Sequence, residues 1–422
     1  MKTYVVKFKQ AAVMTGIALS GVASSGAMTP ANALSFVFTS ANGTSADAIA
    51  GFNAAGARWS SQFTDNVTVN INIGFTDLGT SILAQASSQR QIYDYSQFYT
   101  ALSNDRTSAD DRTAVASLSN GSTFNMLLNR TANRPTGLDI ATPYLDSNGN
   151  ANNQKINISN ANAKALGFLM NSPAGVITNL EEVAGFGTSN ASLGSGIISD
   201  VTLAPANASP PPDASITFSS SFMFDFDPSN GIDSDKIDFI GVATHEIGHA
   251  LGFTSGVDIL DFNSPDSSGQ FFNDDQFTFV NSLDLFRYSA ASKAAGAIDW
   301  TADARDKYLS FDGGVNNIGA LATGSRFGDR QQASHWKDSP NDRTIPELGI
   351  MNPTFSRGQL GIITENDLRA FDVIGWNRVN ATAATEVPEP SNVIGTLLFA
   401  GFGAKMVLKR RKKLSELNVK SV

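Results

Sequence analysis

His245-Glu246-Ile247-Gly248-His249 places two histidines four residues apart with a glutamate beside the first. On a helix, residues i and i+4 project from one face a turn apart, which lets two imidazoles grip one zinc ion at about 2.0–2.1 Å. Glu246 stands next to the first ligand, where a carboxylate takes a proton from water instead of binding the metal. The surrounding stretch, Phe239 to Phe253, supports the helix: Ala243, Ile247, Ala250 and Leu251 form a stripe that packs into a core. Two ligands hold a catalytic zinc poorly, because such sites normally use three protein ligands and keep a fourth position open.

Composition limits where a third ligand can come from. The chain has 422 residues, 3 His and no Cys. A thiol nucleophile, an iron–sulfur cluster and a thiolate zinc site are therefore excluded. The histidine that remains is His335, far along the chain in Gln332-Ala333-Ser334-His335-Trp336. Asp258 and Asp261 are carboxylate rivals that would make a His-His-Asp site. Together with Asn263 and Asp266 they are also candidates for a Ca²⁺ site, as is the run Asp146-Ser147-Asn148-Gly149-Asn150. Neither run has the full spacing of a calcium loop, and a solvated turn is the plainer reading of both.

The motif resembles that of metzincin zinc metalloproteases, H-E-x-x-H-x-x-G-x-x-H. The resemblance gives Gly252 the role of the glycine that ends the helix and turns the chain back to the metal. The pattern's third histidine would fall at 255, where this chain has Ser255. Downstream, Gly349-Ile350-Met351-Asn352-Pro353 is similar to the Met-turn, the apolar floor beneath the zinc, and Thr364-Glu365-Asn366-Asp367-Leu368 opens a final capped helix. A motif helix, a long insertion, a His-Trp segment, a Met-turn and a last helix in this order resemble the leishmanolysin-like branch, in which the third histidine is delayed. The resemblance covers mainly 216–253 and 332–376. It implies His335 as the third ligand of one catalytic zinc, Met351 as the Met-turn residue and Glu246 as general base. It also implies an endopeptidase acting on protein or peptide substrates.

Elements able to position these residues are visible upstream. Ser35-Phe36-Val37-Phe38 reads as a strand, Ser45 to Phe63 as a helix and Val67 to Ile73 as an alternating strand, a β-α-β start. Ala204 to Ser215, with three prolines, reads as a loop. Ile216, Phe218, Phe222, Phe224 and Phe226 then share the even positions of one strand or two. No fixed-period repeat is visible. The expected fold is α+β: a metzincin-like zincin with a twisted mixed sheet and the active-site helix in an N-terminal subdomain, 34–253. A largely irregular and helical C-terminal subdomain follows over 254–380.

The ends read as addresses. The formal charge of −9 divides into +3 over 1–33, +6 over 391–422 and −18 between 34 and 390. A body that acidic disfavours nucleic-acid binding. Residues 1–33 combine lysines, a small-residue apolar run and Ala31-Asn32-Ala33, as in a secretory signal peptide cut after Ala33. Over 381–422, Pro388-Glu389-Pro390 precedes an apolar stretch from Val393 to Leu408 and then Lys409-Arg410-Arg411-Lys412-Lys413. This ending resembles the PEP-CTERM sorting signal. The resemblance implies an exosortase-type sorting enzyme as a partner and a transient transmembrane helix at the C-terminus. It implies a destination at the surface or outside of a Gram-negative cell. Alternatives to a protease are a catalytically idle, zinc-stabilised matrix or adhesion protein and a polysaccharide-active enzyme, the latter needing a carboxylate pair that no spacing singles out.

Overall fold

Ser35–Ser40 alternates buried with half-buried side chains and Thr68–Thr76 alternates buried with more exposed ones as far as Ile73, and the helix Ala46–Ser60 connects the two. The two strands pair in parallel, as a crossover helix requires. This computed structural model describes residues 34–168, 212–263, 271–338 and 347–379, together with the backbone of the strands Lys2–Val5 and Thr178–Glu182. The rest of the expected signal segment, most of the Ala204–Ser215 loop, Asp266 and everything from 380 onward, including the Pro-Glu-Pro ending, lie outside the described residues. Among the described residues no helix is long and apolar enough to cross a membrane.

The architecture is α+β with mixed sheets and, among the described residues, no barrel. In the main sheet, Ser35–Ser40 is flanked by Lys2–Val5 and by Thr68–Thr76. Next comes Ala214–Ser219, parallel to Thr68–Thr76 and antiparallel to the long strand Ala84–Asp94. Ala84–Asp94 pairs further, both times antiparallel, with Thr178–Glu182 along Ala86–Arg90 and with Lys155–Ser159 along Arg90–Asp94. The Phe-rich run divides into two strands: Ile216 and Phe218 point from Ala214–Ser219 into the core, and Phe224 lies in a short strand paired with Ile237–Asp238.

The motif helix, Phe239–Leu251, is buried on every face and not along one stripe. Apolar neighbours clamp its start. The Phe239 ring lies among Phe52, Phe218 and Phe226, with centroids 4.5–5.3 Å away; burying one such ring stabilises by about 1.5–3 kcal/mol. Indole donors pin its length: Trp59 Nε1–H donates to Thr244 O (2.8 Å) and Trp376 Nε1–H to Leu251 O (2.9 Å). Trp59 belongs to the helix Ala46–Ser60, so the crossover helix that builds the sheet also braces the motif helix.

After the motif helix the chain is largely irregular. It carries short helices at Val257–Asp261, Ala290–Ala295 and Glu365–Asp372 and a small sheet of Arg287–Tyr288, Lys307–Leu309 and Gly319–Leu321. Ile298–Asp299 pairs with Met126–Leu128, tying this half back to the first. Residues on both sides of position 253 belong to one compact unit.

Gly51 of the crossover helix lies directly beneath the Phe239 ring, so a Cβ there would collide with the ring carbons. Gly51→Ala gains about 1 kcal/mol of helix propensity but must displace a ring that its neighbours hold in place. Overpacking costs about 1–3 kcal/mol, so chemical denaturation is expected to show a net loss of stability.

Candidate metal centre

Asp238 starts the motif helix: its Oδ1 accepts from Gly241 N–H (2.8 Å) and its Oδ2 from Gly361 N–H (3.0 Å), so the cap also fastens a distant loop. Gly252 ends it in the left-handed region at φ +119°, with Gly252 N–H donating to His249 O and Phe253 N–H to Gly248 O. That turn brings the Phe253 carbonyl back under the helix, where it accepts from His249 Nδ1–H (2.8 Å). The expected role of Gly252, reversing the chain after the helix, is thus accompanied by a second one, orienting an imidazole.

The segment carrying His335 reaches the helix because buried groups tie it to the stretch just beyond Gly252. Ser255 N–H donates to Ser334 Oγ (2.8 Å). The Asp258 carboxylate accepts from Ala333 N–H (2.6 Å), Ser334 N–H (3.1 Å) and Ser334 Oγ–H (2.5 Å). Asp258 therefore anchors the backbone that presents His335 and is not part of the ligand cluster. Asp261 does the same for the next loop, accepting from Arg326 and Phe327 N–H. Where the simple motif would have a third histidine, Ser255 hands that position to the residue preceding His335.

The three histidines converge. Their Nε2 atoms lie 3.0 Å (His245–His249), 3.2 Å (His249–His335) and 3.3 Å (His335–His245) apart. A tetrahedral ion with bonds of 2.0–2.1 Å has ligand–ligand edges of about 3.3–3.4 Å, so the triangle has the size of one metal's coordination face. Each Nδ1 faces a backbone carbonyl: His245 donates to Ile350 O (2.8 Å), His249 to Phe253 O, and His335 to Gln332 O (3.2 Å). A carbonyl can only accept, so each Nδ1 carries the proton and each Nε2 presents a lone pair. The close Nε2 approaches are therefore not hydrogen bonds; three lone pairs converging in a buried space could hold a metal ion. Burial pushes the His245 imidazolium down to about 4, and burial together with the neighbouring rings pushes His249 and His335 well below the usual range. All three stay neutral, as metal ligation requires.

Among the described residues this is the one group of three or more His, Asp or Glu side chains whose atoms gather closely enough to hold a metal ion. Glu246 is 1% exposed, burial pushes its carboxyl well above the usual range, and its Oε2 has no hydrogen-bond partner. A buried carboxylate oxygen left open beside a metal-ligand cluster suits a group that meets water or substrate. Met351 is fully buried in the turn Gly349–Asn352, with its sulfur against Gly248, where a Cβ would clash. It thus packs against the helix between the two helical ligands. The loop Asp146–Asn150 uses its side-chain oxygens locally: Asp146 accepts from Asn148 N–H and Asn152 Nδ2–H, and Asn148 from Asn150 N–H.

The orienting groups missing from the sequence reading are the carbonyls of Ile350, Phe253 and Gln332. Backbone acceptors have no residue signature, so no motif could have named them. Comparison with protein-family models, with curated proteins and with solved structures returns no match. Replacing Asp258 by Ala strips three donors on the His335 segment of their acceptor. It is expected to cost about 2–3 kcal/mol in a denaturation experiment, since buried donors left unpaired cost about 1–3 kcal/mol each and part of that is recovered by relaxation.

Proposed function

We propose that the protein is a zinc-dependent endopeptidase with a metzincin-like architecture, holding one zinc ion through His245, His249 and His335 and using Glu246 as general base. The observation that carries this reading is the convergence of three Nε2 lone pairs from a motif helix and a distant segment onto one point. Three neutral imidazoles with no thiolate favour zinc, and three protein ligands with an open fourth position are the pattern of a catalytic centre, not a closed structural one. Zinc in such a site supplies Lewis acidity and brings the pKa of water near about 7. The Gly252 turn, Met351 against Gly248 and the capped helix Glu365–Asp372 support the metzincin-like part of the proposal.

The chain's own groups divide the work. Glu246 takes the proton of the attacking water as its oxygen bonds to the peptide carbon, then passes that proton to the amine as the C–N bond breaks. The hydrophobic packing around the motif helix keeps Glu246 out of bulk water, which raises its affinity for a proton. The carbonyls of Ile350, Phe253 and Gln332 keep each imidazole in the tautomer that presents Nε2. We place the working protein outside the inner membrane, sorted through its ending by an exosortase-type enzyme, with protein or peptide substrates. Supporting this are the acidic body and the basic, apolar ends of the sequence.

Glu246→Gln keeps the side chain's shape and removes its basicity. Proteolysis of an unfolded protein substrate is expected to fall by about 10²–10⁴-fold with zinc content unchanged, and a chelator is expected to abolish wild-type cleavage until zinc is returned. A zinc-loaded wild type that cleaves no protein substrate contradicts the enzyme reading and leaves a zinc-stabilised, idle module.

A further inference from the structure

We infer that Asp367 is a positioning residue that sets two of the three imidazole ligands together, an inference that rests on the metal-centre reading above. Asp367 sits in the first turn of the last helix, Glu365–Asp372, and is fully buried. Its ordinary task there is the helix cap: Oδ2 accepts from Thr364 N–H (2.7 Å) and shares a bond with Thr364 Oγ (3.0 Å). A cap needs no more than this. The same carboxylate also accepts from Ile350 N–H (2.8 Å, Oδ2), Met351 N–H (3.3 Å, Oδ1) and Trp336 Nε1–H (2.8 Å, Oδ1).

Those extra donors belong to the two segments that set the ligands. The Ile350 carbonyl orients the His245 ring, and the Ile350–Met351 peptide is held by Asp367 from its N–H side. Trp336 follows His335 directly, its ring is fixed by Asp367, and its own N–H donates to Met351 O (3.1 Å). One carboxylate thus closes a ring of bonds through the Met351 turn and the His335 segment. Gly349 leaves it the room: a Cβ at Gly349 would collide with the Asp367 carboxylate. His249 is outside this arrangement, because its orienting carbonyl comes from its own helix end.

Asp367→Asn tests the inference, since an amide of the same shape turns one acceptor into a donor facing N–H groups. Zinc affinity is measured on the full chain by competition with a chromophoric chelator, and the ligand field by the visible spectrum after Co²⁺ substitution. Circular dichroism checks that the metal-free variants are folded. The control is Arg369→Gln, which breaks the pair of Arg369 with Asp110 (Nε–Oδ2 2.6 Å) on the same helix without touching the ring of bonds. The expected result is a loss of zinc affinity of at least about tenfold, the scale for groups that orient metal-bound histidines, with an altered cobalt spectrum in Asp367→Asn and neither change in the control. Wild-type affinity and spectrum in Asp367→Asn, or an equal loss in Arg369→Gln, overturns the inference. If Asp367→Asn does not fold, Trp336→Phe removes one donor to Oδ1 and keeps an aromatic ring. A lower affinity there supports the inference, and unchanged affinity overturns it. A wild type that binds no zinc refutes the metal-centre reading and this inference together. A wild type that binds zinc but cleaves nothing refutes only the enzyme reading.

Discussion

Three imidazole lone pairs aimed at one another in a space closed to solvent are the constraint on which the rest of this structure depends. Each Nε2 is unprotonated because its partner nitrogen is committed to a carbonyl, and none of the three rings takes a proton at neutral pH. Without a cation such a cluster is a cluster of repulsions. The surrounding framework must therefore be stiff enough to keep the rings from turning away.

That stiffness has identifiable sources. The motif helix is surrounded, pinned by two tryptophan N–H groups, clamped at its start by phenylalanine rings and capped by an aspartate that also holds a distant loop. Its histidines sit a turn apart without help. The third does not: it depends on Ser255, Asp258 and Ser334 to bring a segment some eighty residues downstream against the helix end. A few carboxylates, Asp238, Asp258 and Asp367, thus do for the long-range geometry what the helix does for the local geometry. Each accepts from backbone N–H groups of a segment distant in the chain, so each acts as a joint between elements.

What could be read from the sequence follows from the range of the physics involved. His245 and His249 were legible because helical spacing alone puts them on one face. The β-α-β start was legible from alternation and connection length, and it appears as parallel strands around the helix Ala46–Ser60. His335 was suggested by composition and by resemblance, and the structure brings it to the other two. The insertion of Ala214–Ser219 between Thr68–Thr76 and Ala84–Asp94 was not legible, because strand order depends on long-range pairing that no local pattern records. Nor was the full burial of the motif helix: one stripe of it read as core-facing, yet Thr244, Gly248 and both histidines are buried as well. Asp258 read as a rival ligand, a calcium ligand or part of a solvated turn, and only the fold reveals that its oxygens are filled by the peptide leading to His335.

The central claim is that the three histidines form one metal centre, and zinc content tests it most directly. Purified full-length protein, dialysed after loading, is expected to hold one zinc per chain. His335→Ala is expected to lose zinc affinity by more than the about 10–100-fold that removal of an outer partner costs. Stoichiometric zinc held equally tightly by His335→Ala, or none in the wild type, contradicts the account.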